Sequence, residues 1–137
     1  MNRFSAWAAA TVLAALAPLA AAQGTGDWVA VKDPKELRDL FMNTTFRGKG
    51  PTGDAFTAYN RSDGMRLVII PQTELTMTWR VDGERVCVQV RSRSAPERCQ
   101  TYQKSAVRKG EYRSMREPDG AVATFKVEQG IKGARQF

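Results

Sequence analysis

Two cysteines, Cys87 and Cys99, are the residues of this sequence best suited to chemistry, and the chain holds no histidine to work beside them. A zinc site or a thiolate–imidazole pair therefore lacks its nitrogen partner, and a serine triad or a histidine proton relay lacks its base. What two cysteines at this spacing can do is bond to each other. A disulfide closing a loop of about a dozen residues contributes roughly 3 kcal/mol through loop-closure entropy. Other reactive groups are dispersed. Asp63, Asp82 and Asp119 each precede a glycine and read as turn residues, and Asp33 reads as a helix cap. Gly48-Lys49-Gly50 lacks the Ser or Thr and the strand-loop-helix setting of a phosphate loop. No catalytic residue, metal or cofactor is expected, and the chain reads as a non-enzyme.

Charge is the second chemical feature. The chain has 21 Lys and Arg against 14 Asp and Glu. Removing Arg3 with the N-terminal leader leaves 20 against 14, a net charge of +6. Much of the excess lies between Arg85 and Arg116, and Arg85, Arg91, Arg93, Arg98 and Lys104 make a candidate face for an anionic ligand. Partners of suitable chemistry are an anionic envelope lipid, a glycan or a periplasmic protein. The blander reading is a solvated basic face that aids solubility. Nucleic acid is disfavoured, because the chain carries an export signal and no aromatic-interleaved binding motif.

Strands must position these groups. Leu75 to Val81 and Glu84 to Arg91 alternate at period two around Asp82-Gly83. With those two residues as the loop, Trp79 faces Val86, Met77 faces Val88 and Leu75 faces Val90, on a face that must be buried. Cys87 lies on the opposite, polar face beside Thr78, and Arg80 lies beside Arg85. The break from Ser92 to Pro96 falls midway between the cysteines, so a hairpin folded there sets Cys87 against Cys99.

Further strands are expected at Thr44 to Lys49, Ala55 to Ser62, Met65 to Ile70, Glu97 to Ala106, Glu111 to Arg116 and Ala121 to Glu128, with Trp28 and Val29 in a partial first strand. The three Asp-Gly turns are expected as type I′ turns near one end of the sheet. Gly48 to Asp54 reads as a mobile Gly/Pro-rich loop. Asp33 as N-cap, Pro34 in the first turn and Glu36 at capping-box spacing start a short helix whose stripe is Leu37, Leu40 and Phe41, ending near Asn43. It should close an end or an edge of the sheet. The class is mainly β: a small antiparallel meander of seven or eight strands closing into an up-and-down barrel or a curled sheet, with one short N-terminal helix.

Strict alternation past the disulfide puts Arg98, Gln100, Tyr102 and Lys104 on the same side as Trp79 and Val88. Either the barrel mouth holds a ligand with an anionic or hydrogen-bonding head, with Trp79, Gln100 and Tyr102 as candidate pocket residues, or a bulge near Pro96 or Cys99 turns this run to solvent. The bulge is the favoured expectation, since buried unpaired charge is costly.

Met1-Asn2-Arg3-Phe4, the apolar run from Ala6 to Leu19 and the small residues Ala20 to Ala22 have the three parts of a secretory signal peptide, with cleavage after Ala22. The run is too short to span a membrane well, and no transmembrane segment remains in the mature chain. Residues 1–22 are thus expected as the leader, 23–130 as one β-rich domain and 131–137 as a basic tail. The expected location is the periplasm, where a disulfide persists, and the expected state is a monomer.

The order of these pieces resembles an uncharacterised proteobacterial family of exported proteins, domain of unknown function 995. The resemblance rests on Glu36-Leu37 through Leu40-Phe41, Thr45 to Gly48, Tyr59 ahead of Asp63-Gly64, Trp79-Arg80-Val81-Asp82-Gly83, and the cysteines Cys87 and Cys99. It spans about Asp33 to Gly130, and Thr78 departs from it where a glycine is expected before the tryptophan. It implies export and a cysteine pair and brings no activity. The functional expectation is a non-enzymatic binding module for an envelope component. Its competitors are an inhibitor or chaperone-like partner of a secreted protein and, behind that, a hydrolase using Asp and Glu.

Overall fold

The computed structural model describes residues 27–91 and 94–131, so the expected leader at 1–22, Arg93 and the expected tail beyond 131 lie outside the described residues. The elements are β1 (Trp28–Val31), α1 (Pro34–Phe41), β2 (Thr44–Lys49), β3 (Ala55–Asn60), β4 (Met65–Ile70), β5 (Thr73–Asp82), β6 (Arg85–Val90), β7 (Arg98–Ser105), β8 (Glu111–Arg116) and β9 (Val122–Gln129). Each strand from β2 to β9 pairs antiparallel with the next, and β9 pairs back onto β2, so eight strands close into an up-and-down barrel. The ninth strand, β1, takes the edge of β7 that β6 leaves free: β6 pairs with Arg98 to Gln100, and β1 with Tyr102 to Ser105.

The central hairpin forms two residues out of the expected register. Val81 faces Val86, Trp79 faces Val88 and Met77 faces Val90, with Gly83 and Glu84 as the loop between paired Asp82 and Arg85. Gly83 takes φ 60 at the first loop position, where a type II′ turn requires glycine. Arg80, rather than Thr78, therefore lies beside Cys87. A slip of two preserves every face, because side chains alternate with period two; the apolar face survived the error in register.

The other Asp-Gly pairs depart further. The β3–β4 connection is closed by Arg61 N–H on the Met65 carbonyl with Gly64 at φ 88, and the β8–β9 connection by Arg116 N–H on the Ala121 carbonyl with Gly120 at φ 70, so neither is a two-residue turn. Successive connections of a meander alternate ends, which places Asp63 and Asp82 at one end and Asp119 at the other.

Helix α1 closes the end that holds Asp63 and Asp82. Asp33 caps it by accepting from Lys35 N–H at 3.0 Å, and Leu37, Leu40 and Phe41 are buried. The expected capping box is only half made, since the Glu36 carboxylate accepts from Lys104 Nζ at 2.7 Å instead. Phe41 plugs the barrel. Its ring centroid lies 5.1 Å from Phe46, 5.3 Å from Trp79 and 5.5 Å from Tyr102.

Gly48 and Lys49, where the expected strand and the expected loop overlapped, belong to β2, which ends at Lys49 as expected, and the connection at 50–54 is a turn closed by Gly50 N–H on the Asp54 carbonyl. A Cβ on Gly48 would stand 2.0 Å from the Thr124 carbonyl oxygen and 2.5 Å from Phe125 Cα. The missing side chain lets Phe125 stack on Phe46 at 4.5 Å. Because the obstacle is backbone, Gly48→Ala is expected to cost about 1–3 kcal/mol in urea unfolding.

Cys87 and Cys99 face each other across β6 and β7 and are joined, sulfur to sulfur, at 2.02 Å. The ladder they staple has only three residue pairs, Val86–Gln100 to Val88–Arg98. Replacing both cysteines by alanine should lower stability by about 3 kcal/mol. A reducing agent should shift the wild-type urea midpoint to that of the double variant and leave the variant unmoved.

Candidate functional site

The barrel interior is not filled. A cavity of about 310 Å³ opens at the end away from α1, between the connection at 50–54, Pro71 and Ala121. Phe56, Val68, Ile70, Met77, Val88, Ala123 and Phe125 make its apolar wall. Arg66, Gln100, Tyr102, Ser114 and Arg116 bring polar groups to it.

These side chains are there by alternation. Arg66 shares a side of β4 with Val68 and Ile70, and Gln100 and Tyr102 share a side of β7 opposite Arg116 and Ser114 of β8. The register from Cys99 onward runs without interruption, so the expected bulge is absent. Its premise fails as well. Arg98 is exposed at the start of the strand and Lys104 reaches Glu36 at the other end, so neither charge of that run is buried. Only Gln100 and Tyr102 are turned inward, and they satisfy each other: the Tyr102 hydroxyl donates to Gln100 Oε1 at 3.0 Å.

Trp79 does not line the cavity. Its ring packs on Phe41 under the helix, and its indole N–H donates to the Arg61 carbonyl at 2.9 Å.

The charge that is buried belongs to Arg66, a residue sequence reading passed over. It is 9% exposed, and its guanidinium carbon lies 5.2 Å from the ring centroids of both Phe41 and Phe46. Among the described residues no carboxylate pairs with it; one of its terminal nitrogens donates to Asn60 Oδ1 at 3.0 Å. Asn60 is held for this purpose. The Thr44 hydroxyl donates to the Leu40 carbonyl at 2.7 Å, so its oxygen is left to accept from Asn60 Nδ2 at 3.1 Å, and the Asn60 carbonyl must turn to Arg66. Burial pushes the Arg66 pKa down, yet a guanidinium stays charged in a protein. The legible signal was a lone arginine in phase with Val68 and Ile70 on an otherwise apolar strand.

Burial pushes the Tyr102 hydroxyl up to about 12, with the nearby Arg66 charge pulling the other way. The folded chain holds this proton more tightly than the unfolded chain, so the stability linked to it is intact below about pH 10 and is lost as pH rises toward 12. Titration of phenolate absorbance should show a late step toward pH 12, and Tyr102→Phe should remove it.

The basic face read from the sequence is not one surface. Arg85 lies between Asp82 and Glu117, at 3.1 and 2.8 Å, and Lys104 sits on Glu36. Arg91 contacts Met65 Sδ at 3.9 Å from the far end of β6, Arg98 is exposed, and Arg93 lies outside the described residues. Arg80 pairs with Glu97 at 2.5 Å, and at the cavity mouth Arg116 is tied to Asp119. Folding distributes the run over strands that point their side chains to different sides.

Asp54 is the one carboxylate on the cavity wall among the described residues. Glu36 and Asp39 flank a shallow hollow beside the helix and are each held by a lysine. No family model, curated protein or solved structure matches this chain.

Proposed function

We propose that this chain is exported, loses residues 1–22, and serves without catalysis as a binding protein that takes a small, largely apolar ligand into its barrel. The observation that carries the reading is the cavity of about 310 Å³, apolar on most of its wall, open at one end and closed at the other by α1. Small-molecule sites have this form and occupy about 300–1,000 Å³, and an eight-stranded barrel is wide enough for one small ligand. A single carboxylate on the wall favours binding over acid-base hydrolysis, which needs two. The dispersal and pairing of the basic side chains favour the interior over the outer surface as the place of contact.

A neutral, polarity-sensitive naphthylamine dye tests the reading. The mature protein should take it up saturably, one per chain, with enhanced emission. Ala123→Phe, which fills the cavity, should abolish uptake while leaving the urea midpoint nearly unchanged. Absence of saturable uptake, or uptake that survives the filled cavity, would overturn it.

A further inference from the structure

We infer that Arg66 is an anion receptor at the inner end of the cavity and that the ligand class is a small monocarboxylate with an apolar tail, a conclusion that rests on the binding reading above. A buried guanidinium without a counter-ion is expensive, because the desolvation of such an ion costs several kcal/mol and one neutral acceptor and two aromatic rings return only part of it. Asn60 offers one neutral acceptor. Among the described residues every fully buried side-chain nitrogen or oxygen has a partner, so the Arg66 nitrogens not taken by Asn60 are those open to the cavity.

Three features choose the head group. Charge comes first: one unpaired cation neutralises one negative charge, and Arg116, the other cation on the wall, is committed to Asp119. A dianionic phosphate monoester would bring an unmatched charge into the barrel. Donor character comes second. Gln100 brings an N–H₂ to this end beside an Oε1 that already accepts from Tyr102, and the guanidinium offers only N–H. A donor-rich inner end fits a head that only accepts. Geometry is third: the guanidinium carbon lies 5.2 Å from both the Phe41 and the Phe46 ring centroids, which fixes its place, and its planar fork matches a planar carboxylate. The apolar wall from Val68 and Met77 to Phe56 and Ile70 runs from there toward the mouth and takes the tail.

Calorimetric titration of the mature protein with straight-chain carboxylates from acetate to palmitate, and with alkanols and alkyl phosphates of matched length, tests this. Carboxylate affinity should rise with chain length and then fall once the cavity is full. The matched alkanol and alkyl phosphate should bind about 10- to 100-fold more weakly, the difference a hydrogen bond to a charged group makes. Arg66→Met should remove the preference for the carboxylate. Asn60→Asp, which supplies a counter-ion and keeps the arginine, should weaken carboxylates and spare alkanols, so the result does not depend on one variant folding. Equal binding of carboxylate and alkanol in the wild type, or a preference that survives both substitutions, would overturn the head-group assignment while dye uptake still upholds the cavity. Failure of dye and carboxylates alike would overturn both.

Discussion

Replacing Arg66 by methionine and Asn60 by leucine together is expected to make the protein harder to unfold. The pair exchanges an uncompensated buried cation and its one acceptor for apolar side chains of similar size, a change that is commonly neutral or stabilising by about 1–4 kcal/mol. Both variants give up the attraction of two aromatic faces, about 0.5–2 kcal/mol, but Arg66→Met alone should gain less, because it also orphans the Asn60 carbonyl at about 1–3 kcal/mol. Urea midpoints at constant slope give the comparison. A more stable protein that no longer distinguishes a carboxylate from an alkanol would mark Arg66 as a residue kept for binding at the expense of the fold. A double variant less stable than wild type would mean that Arg66 is there to pack against Phe41 and Phe46.

Phe41→Ala is expected to cost about 3–5 kcal/mol, the largest loss from any single truncation in this core. Phe41 is fully buried and touches the rings of Phe46, Trp79 and Tyr102 as well as Arg66. Its removal takes away the plug and the support of the guanidinium at once. The space left behind lies at the inner end of the cavity, so the carboxylate of best fit should become longer in this variant even as affinity falls. Phe41→Leu restores most of the apolar volume and isolates the contribution of the ring. Unfolding midpoints and the chain-length profile check both, and an unchanged profile would place the head group away from this floor.

Much of the architecture was legible from local chemistry. Strand limits followed from alternation broken by Gly and Pro, the helix from Asp33-Pro34 and the Leu37/Leu40/Phe41 stripe, and the cysteine pairing from the midpoint break at Ser92 to Pro96. Register and turn geometry were not, because Asp82-Gly83 and Gly83-Glu84 are both acceptable loops with glycine in a special position, and the two choices bury the same side chains. The site was half legible. Gln100 and Tyr102 were candidates by phase, but a general penalty for buried polarity argued them outward, and that penalty vanishes when two such groups bond to each other and the flanking charges reach solvent or Glu36. Arg66 was hidden by composition: a single arginine among Leu67, Val68, Ile69 and Ile70 carries no motif, and the cost of its burial emerges only once the strand is curled into a closed interior.

The seam between β2 and β9 bears on how the chain reaches this state. Most pairings join consecutive strands, whereas Thr45 donates to the Gly130 carbonyl across 85 positions of sequence. Contacts between consecutive strands need only short loops, so the delayed entropic penalty of folding concentrates in this final zipper. As the polypeptide is synthesised, β2 is among the first strands made and its true neighbour is the last. Until β9 emerges the molecule is an open ribbon with β2 as an unprotected border, vulnerable to pairing with another chain, and a partner that shields nascent β2 would raise yield without altering the finished barrel.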